Sequence, residues 1–297
     1  MKKLLLASTL IGLCTAPTWA ADLATQPYTK APVYGDPATN WSGFYAGVNT
    51  GWFGGSGTVN TDAAVTSTST APVNATAMAL GVTNASHSSG GFIGGGQIGY
   101  NYQVSPLFVA GFEADIQGLS GSPERSSSLS PLIDNNGAVA SFATGTTTTR
   151  DISYLGTFRG RIGVTVVPSV LLYVTGGLAY GSVKSETTIT QSAINTSSPP
   201  PATLTSGAFA DTRIGYAVGA GGEWMLHSSW SAKLEYLYYD LGSATYATGG
   251  LANNVSPTSL QGFGIASVAT STRVRFNDQI VRIGVNYHFG GPAISSY

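Results

Sequence analysis

The stretch Leu107-Phe108-Val109-Ala110-Gly111-Phe112-Glu113-Ala114-Asp115-Ile116-Gln117 alternates two chemistries, residue by residue. Phe108, Ala110, Phe112, Ala114 and Ile116 fall on one side, and all are apolar; Glu113, Asp115 and Gln117 fall on the other. Successive side chains of a β-strand point to opposite faces, so this is a strand with one apolar and one ionisable face. Ser153–Val166 repeats the arrangement, with Tyr154, Phe158, Ile162, Val164 and Val166 on one side and Thr157, Arg159, Arg161 and Thr165 on the other. A soluble sandwich would bury the apolar face and give the charges to water. Here the apolar faces are rich in aromatic residues and too numerous for one core, and the polar faces alternate with glycine. The pattern predicts a transmembrane β-barrel, with lipid outside and a polar, charge-paired lumen.

Composition agrees with this reading. The 297 residues include 39 Gly and 15 Tyr, but only 13 Lys and Arg and 14 Asp and Glu. Beyond the first residues no run of apolar side chains is long enough for a membrane helix, whereas a barrel hides its span in alternation. The near-neutral charge gives no footprint for nucleic acid. Residues 1–20 read as a secretory signal, with Lys2 and Lys3 at the basic end, Leu4 to Leu13 apolar, and Thr18-Trp19-Ala20 as a small-residue cleavage site. Cleavage there removes Cys14, the only cysteine, and with it any disulfide or thiol chemistry. Residues 21–40, broken by Pro27, Pro32 and Pro37, read as a Pro-rich periplasmic lead-in. The barrel is expected over 41–289, with 290–297 as a tail.

The expected strands are Trp41–Phe53, Gly91–Gln103, Leu107–Gln117, Asp151–Val167, Val170–Gly181, Thr212–Leu226, Trp230–Leu241 and Asp278–Phe289. Each is long enough to cross lipid, which takes about nine to eleven tilted residues. Connections alternate in length. Val104-Ser105-Pro106, Pro168-Ser169 and His227-Ser228-Ser229 are tight, and the rest are long and rich in Ser, Thr, Ala, Asn and Gly. This is the plan of an all-β, eight-stranded antiparallel up-and-down transmembrane barrel, with short periplasmic turns, long extracellular loops and both termini periplasmic. Thr-rich segments such as Thr187–Gln191 favour extended structure and could carry the strands well above the membrane.

The same register places Glu113, Asp115, Glu223 and Glu235 inside, with Arg159, Arg161, Lys233 and Arg282, and Arg213 near the outer rim. Balanced signs point to a salt-bridged plug in which Arg159 and Arg161 meet Glu113 and Asp115, rather than to a selectivity ring. Gly43, Gly47 and Gly51, and Gly215, Gly219 and Gly221, share those inner faces. An eight-stranded barrel has room only for side chains, so glycine there makes space for Arg and Tyr from neighbouring strands; the rival reading is a cleared pore.

Trp41, Trp52, Tyr100, Trp224, Trp230, Tyr236, Tyr287 and Phe289, joined by Tyr102 and Tyr238, read as aromatic girdles at the two membrane surfaces. No catalytic, cofactor or metal site is assigned. His87 lies in a loop, His227 in a turn, and His288 faces inward and meets Ser231 only at the periplasmic rim.

Two blocks resemble a known family. Asn40-Trp41-Ser42-Gly43-Phe44-Tyr45-Ala46-Gly47-Val48-Asn49-Thr50-Gly51-Trp52 is similar to the first strand of the small immunogenic porin-like outer-membrane proteins of alpha-proteobacteria, which also carry a short Pro-rich mature N-terminus. Asp278–Phe289 resembles their closing strand, with Gly284, Tyr287 and Phe289 matching the signal read by the barrel-assembly machinery. Those proteins commonly end at that aromatic residue, whereas this chain continues to Tyr297. The resemblance implies an abundant envelope protein of the Gram-negative outer membrane. Its expected partners are outer-membrane lipid and lipopolysaccharide, with host or surface ligands at the loops. It implies no catalytic residues. The expected role is structural and surface-interacting; a small non-specific diffusion porin is the alternative, and a lipid-modifying enzyme a distant one.

Overall fold

The computed structural model describes residues 40–68, 84–121, 124–129, 141–194, 202–227, 229–253 and 266–289. The signal, most of the lead-in and the tail lie outside the described residues. The strands are β1 (Gly43–Thr68), β2 (Ala85–Gln103), β3 (Phe108–Gly121), β4 (Glu124–Leu129), β5 (Ser141–Val167), β6 (Val170–Ile194), β7 (Thr203–His227), β8 (Trp230–Asn253) and β9 (Ala266–His288). Chain neighbours pair antiparallel except β3 and β4, which both pair with β5, and β1 pairs with β9. The ring is therefore closed. β3 and β4 follow one another along a single edge of β5, so the barrel has 8 staves. Closure leaves no sheet edge, which is what backbone in lipid requires.

Every strand expected from the alternation is present, and the staves continue beyond the lipid-crossing stretch. Much of what reads as long loop is paired strand: β5 and β6 stay paired from Val167↔Val170 up to Ser141↔Ile194, with register shifts between Thr165 and Val167 and between Ile152 and Tyr154. Thr146, Thr147, Thr148 and Thr149 face Ile189, Thr188, Thr187 and Glu186 there. β-Branched residues suit a pleated surface, and facing threonines bond to one another, as Thr148 and Thr187 do at 2.9 Å. Leu107, read as the start of a strand, belongs instead to the turn, where Phe108 N–H donates to the Ser105 carbonyl at 3.2 Å.

The outer face of the lower barrel is a continuous apolar band. Phe44, Val48, Phe112, Ile116, Phe158, Ile162, Val174, Leu178, Val218, Leu234 and Ile283 are all exposed. The interior is layered. Trp41, Val109, Leu171 and Tyr173 close the turn end. A charged layer follows. Above it Phe53, Ile93, Leu155, Ala217, Leu237, Tyr239, Leu241, Phe276 and Ile280 form an apolar layer filling the cross-section. Glycines let these layers pack. A Cβ on Gly51 would overlap the Arg282 backbone, one on Gly221 the Tyr173 ring, and one on Gly177 the Arg159 backbone. Gly219 and Gly215 likewise lie against the backbone of β8. These inner glycines are filled space, not openings.

Candidate functional site: the charged layer of the lumen

The charged layer is assembled by strand parity. Glu113 and Asp115 on β3 sit beside Arg159 and Thr157 on β5, as the register Glu113↔Arg159 and Asp115↔Thr157 dictates. Glu223 on β7 faces Lys233 on β8, and Glu235 on β8 faces Arg282 on β9. All eight predicted charged side chains are buried and point inward. Tyr45, on β1, completes the ring from the other side.

Glu113 is the hub. Its Oε1 accepts from Arg159 Nη2 at 2.7 Å, Lys233 Nζ at 2.8 Å and Arg282 Nη2 at 3.3 Å, while Oε2 accepts from Tyr45 OH at 2.8 Å. Asp115 Oδ2 accepts from Arg159 at 2.8 Å, Arg282 at 2.9 Å and Thr157 at 2.9 Å. Glu235 takes Arg159 Nη1 at 3.1 Å and Tyr173 OH at 3.0 Å on one oxygen, and Arg282 Nε at 2.7 Å on the other. Each carboxylate thus meets at least two donors, which a charge held away from water needs.

Arg161 keeps the expected ion pair with Glu113 and gains a nearer one that the sequence does not show. It reaches across the lumen to Glu223 at 2.7 Å, and its other amino group donates to Tyr45 OH at 2.9 Å while lying 3.6 Å from Glu113. Its guanidinium lies over the Tyr173 ring, 4.4 Å from the centroid. Neighbour-strand reasoning missed this because the partner is set by the width of the closed ring.

A second ion pair, also missed, sits higher. Arg150 donates to Asp278 at 2.9 Å, and Tyr239 OH donates to the same carboxylate at 2.9 Å. Arg150 falls in a segment that reads as loop; the even parity of Asp278, shared with Arg282, was the available signal. An amide relay, Asn49 to Gln97 at 2.7 Å and Gln97 to Asn286 at 2.5 Å, fills the opposite wall.

The aromatic residues need one correction. Trp52, Trp224, Trp230, Tyr236, Tyr287 and Phe289 face outward, and Tyr100 is half-buried among Phe44 and Phe112. Trp41 does not belong to the girdle. It is fully buried beneath the lumen, its indole N–H donating to the Pro168 carbonyl at 3.1 Å and its ring edge-on to His288. The cause is parity: Trp41 shares the odd, inward set with Tyr45 and Asn49. A buried indole also needs a partner for its N–H, which the β5–β6 turn supplies.

Ser231, His288 and Glu223 come together near that floor. Ser231 Oγ donates to Glu223 at 2.5 Å and lies 2.9 Å from His288 Nε2, which is itself 3.3 Å from Glu223. A relay of Ser, His and acid needs the acid on the other ring nitrogen, so that one nitrogen takes the hydroxyl proton while the acid holds the opposite edge. Here serine and acid share one nitrogen, and the hydroxyl proton is already committed to the carboxylate. Among the described residues no group of His, Cys, Asp and Glu is placed to hold a metal ion.

A closed ring with an apolar belt, aromatic flanks and a charge-balanced interior defines an integral β-barrel of the outer-membrane kind. A family model described as outer membrane protein beta-barrel domain matches residues 6–289. The chain belongs to that family and sits in the Gram-negative outer membrane. It is 31% identical over 293 residues to the 31 kDa outer-membrane immunogenic protein of Brucella melitensis, covering 97% of this chain and 100% of the relative. It is 30% identical over 236 residues to the 22 kDa outer membrane protein of Rhizobium leguminosarum bv. viciae, covering 76% of this chain and 79% of the relative. Among solved structures, the outer membrane protein OprG from Pseudomonas aeruginosa matches with a TM-score of 0.37 and 12% identity, over 85% of this chain and 100% of that one.

Proposed function

We propose that this barrel is a closed structural element of the outer membrane that presents its tall upper wall and loops to the surroundings, and that it neither conducts nor catalyses. The observation that carries the reading is the sequence of layers in the lumen. An ion would first have to separate paired charges around Glu113, and then cross the apolar layer of Phe53, Leu155, Leu237, Phe276 and Ile280. Both steps are costly in a space filled by side chains. The committed proton of Ser231 argues against hydrolysis at the floor, and no cofactor is needed for a structural role.

Conductance tests this directly. Refolded protein in a planar bilayer is expected to give no steady steps. Steady steps that disappear with bulky residues at Gly47 and Gly219 would establish the small diffusion porin instead.

The proposed orientation puts the short turns and both termini in the periplasm. Cysteines at Ser88 and Thr190 are then expected to react with an impermeant reagent on intact cells. Those at Ser105 and Ser169 stay unreacted until the outer membrane is opened. Labelling of Ser105 on intact cells would invert the barrel.

A further inference from the structure

Directly above the upper girdle the wall is irregular on two adjacent seams. β1 and β9 are in register from Tyr45↔His288 to Gly54↔Gln279, and pairing resumes only at Asn60↔Arg273. At the same height the β8–β9 ladder shifts between Asp240↔Asn277 and Ser243↔Arg275, with Gly242 at φ 80. The two faults open one outward-facing cleft of about 530 Å³, lined by Ser56, Thr58, Asn60, Arg273, Arg275 and Asn277.

Its position and charge select an occupant. Trp52↔Val281 marks the last apolar row on this side of the barrel, and Gly54↔Gln279 is the next outward-facing pair above it. The cleft begins one step higher, at head-group level. Arg273 and Arg275 are both exposed. Arg275 is held by Asp240, whose other oxygen accepts from the Gly242 N–H at 2.8 Å, so one edge of its guanidinium is fixed and the remainder is presented outward. Arg273 has no acidic partner among the described residues; Asp62 lies one outward step above Asn60, opposite Ser271, and does not line the cleft. Arg213 approaches from β7, its guanidinium donating to the Leu241 and Ser243 carbonyls at 3.1 and 3.0 Å and so bracing the bulge. Two guanidinium groups beside hydroxyl and amide side chains suit a phosphate on a sugar.

We infer that this cleft binds the phosphorylated sugar head group of lipopolysaccharide in the outer leaflet. The acyl chains would run down the apolar wall beside Trp52 and Val281. The inference rests on the proposed orientation, since only the outer leaflet carries this head group. It deepens the structural role by tying the barrel to a named neighbour.

The test uses the full chain refolded in detergent micelles, where orientation plays no part, so that its failure is distinct from failure of the labelling experiment. Lipid A bearing its phosphates is titrated against the protein, beside the same lipid A with phosphates removed and inorganic phosphate alone. Saturable binding of the phosphorylated lipid is expected, weakened about tenfold or more by Arg273→Ser, the scale of one charge-assisted contact. Arg273 makes no internal bond among the described residues, so the variant is expected to keep its heat-modifiable mobility on gels, and Arg273→Lys to retain part of the affinity. Lys184→Ser, an exposed charge on β6, serves as control and is expected to change nothing. Equal binding of the two lipid forms, or an Arg273→Ser variant that folds and binds like the parent, overturns the inference. Competition by inorganic phosphate at the lipid's own concentration would leave a free-anion site and overturn the lipid assignment.

Discussion

Glu113→Ala is expected to cost about 3–5 kcal/mol of stability, the range for removing one member of a buried ion pair. The reason is its position. Arg159, Lys233 and Arg282 converge on its Oε1, and Tyr45 OH donates to Oε2. Arg159 and Arg282 keep Asp115 and Glu235 after the change, but the ion pair of Lys233 is with Glu113. A buried ammonium then loses its direct ion pair and keeps only the attraction of Glu235, two residues along its own strand. Urea unfolding from lipid vesicles, followed by tryptophan fluorescence, reads the effect as a lowered midpoint. Glu113→Gln keeps the shape and the acceptor, so a smaller loss is expected. The double change Glu113→Leu with Lys233→Met removes both charges and should recover much of the deficit, because apolar replacement of a whole pair is often neutral or favourable. An unchanged midpoint for Glu113→Ala would mean that water screens the layer and that the packed-plug reading is wrong.

That convergence bears on what a sequence can reveal here. Which face each residue takes was readable from parity: Glu113 and Asp115 against Phe112 and Ile116, Arg159 and Arg161 against Phe158 and Ile162. Pairing within one seam followed, because Glu113 and Arg159 are direct register partners. Contacts across the lumen did not follow. Arg161 meets Glu223 although their strands are not adjacent, and that contact depends on the diameter of the closed ring. Trp41 shows the opposite failure. Its parity with Tyr45 puts it inside, whereas a tryptophan beside a membrane strand reads by residue type as an interfacial anchor; in the fold the register decides. The height of the staves was half visible. Threonine runs favoured extension, but nothing local told how far β5 and β6 would stay paired, because each segment is held mainly by the one opposite. For the same reason Arg150 reads as loop in the sequence, and nothing local pairs it with Asp278.

Phe158→Arg is the second large effect, expected to destabilise by about 2–4 kcal/mol, the range for a charge facing lipid near the bilayer midplane. Phe158 is exposed on the outer wall and packs loosely against Phe112, with ring centroids 6.4 Å apart. Its strand neighbours in sequence, Thr157 and Arg159, are both buried in the charged layer. Two arginines one residue apart would therefore stand in opposite solvents, one among carboxylates and one among acyl chains. The same substitution should be nearly harmless at Glu186, which is exposed on the upper wall beyond the apolar band. Phe158→Ala removes apolar contact without adding charge, and its loss should be the smaller. The comparison is made on refolded protein in vesicles, with folded fraction read from gel mobility before and after heating. If Phe158→Arg folds as well as the parent while Phe158→Ala does not, the strand is offset by one residue. Every assignment of inner and outer face on β5 would then reverse, because a register slip of one moves each side chain through the wall.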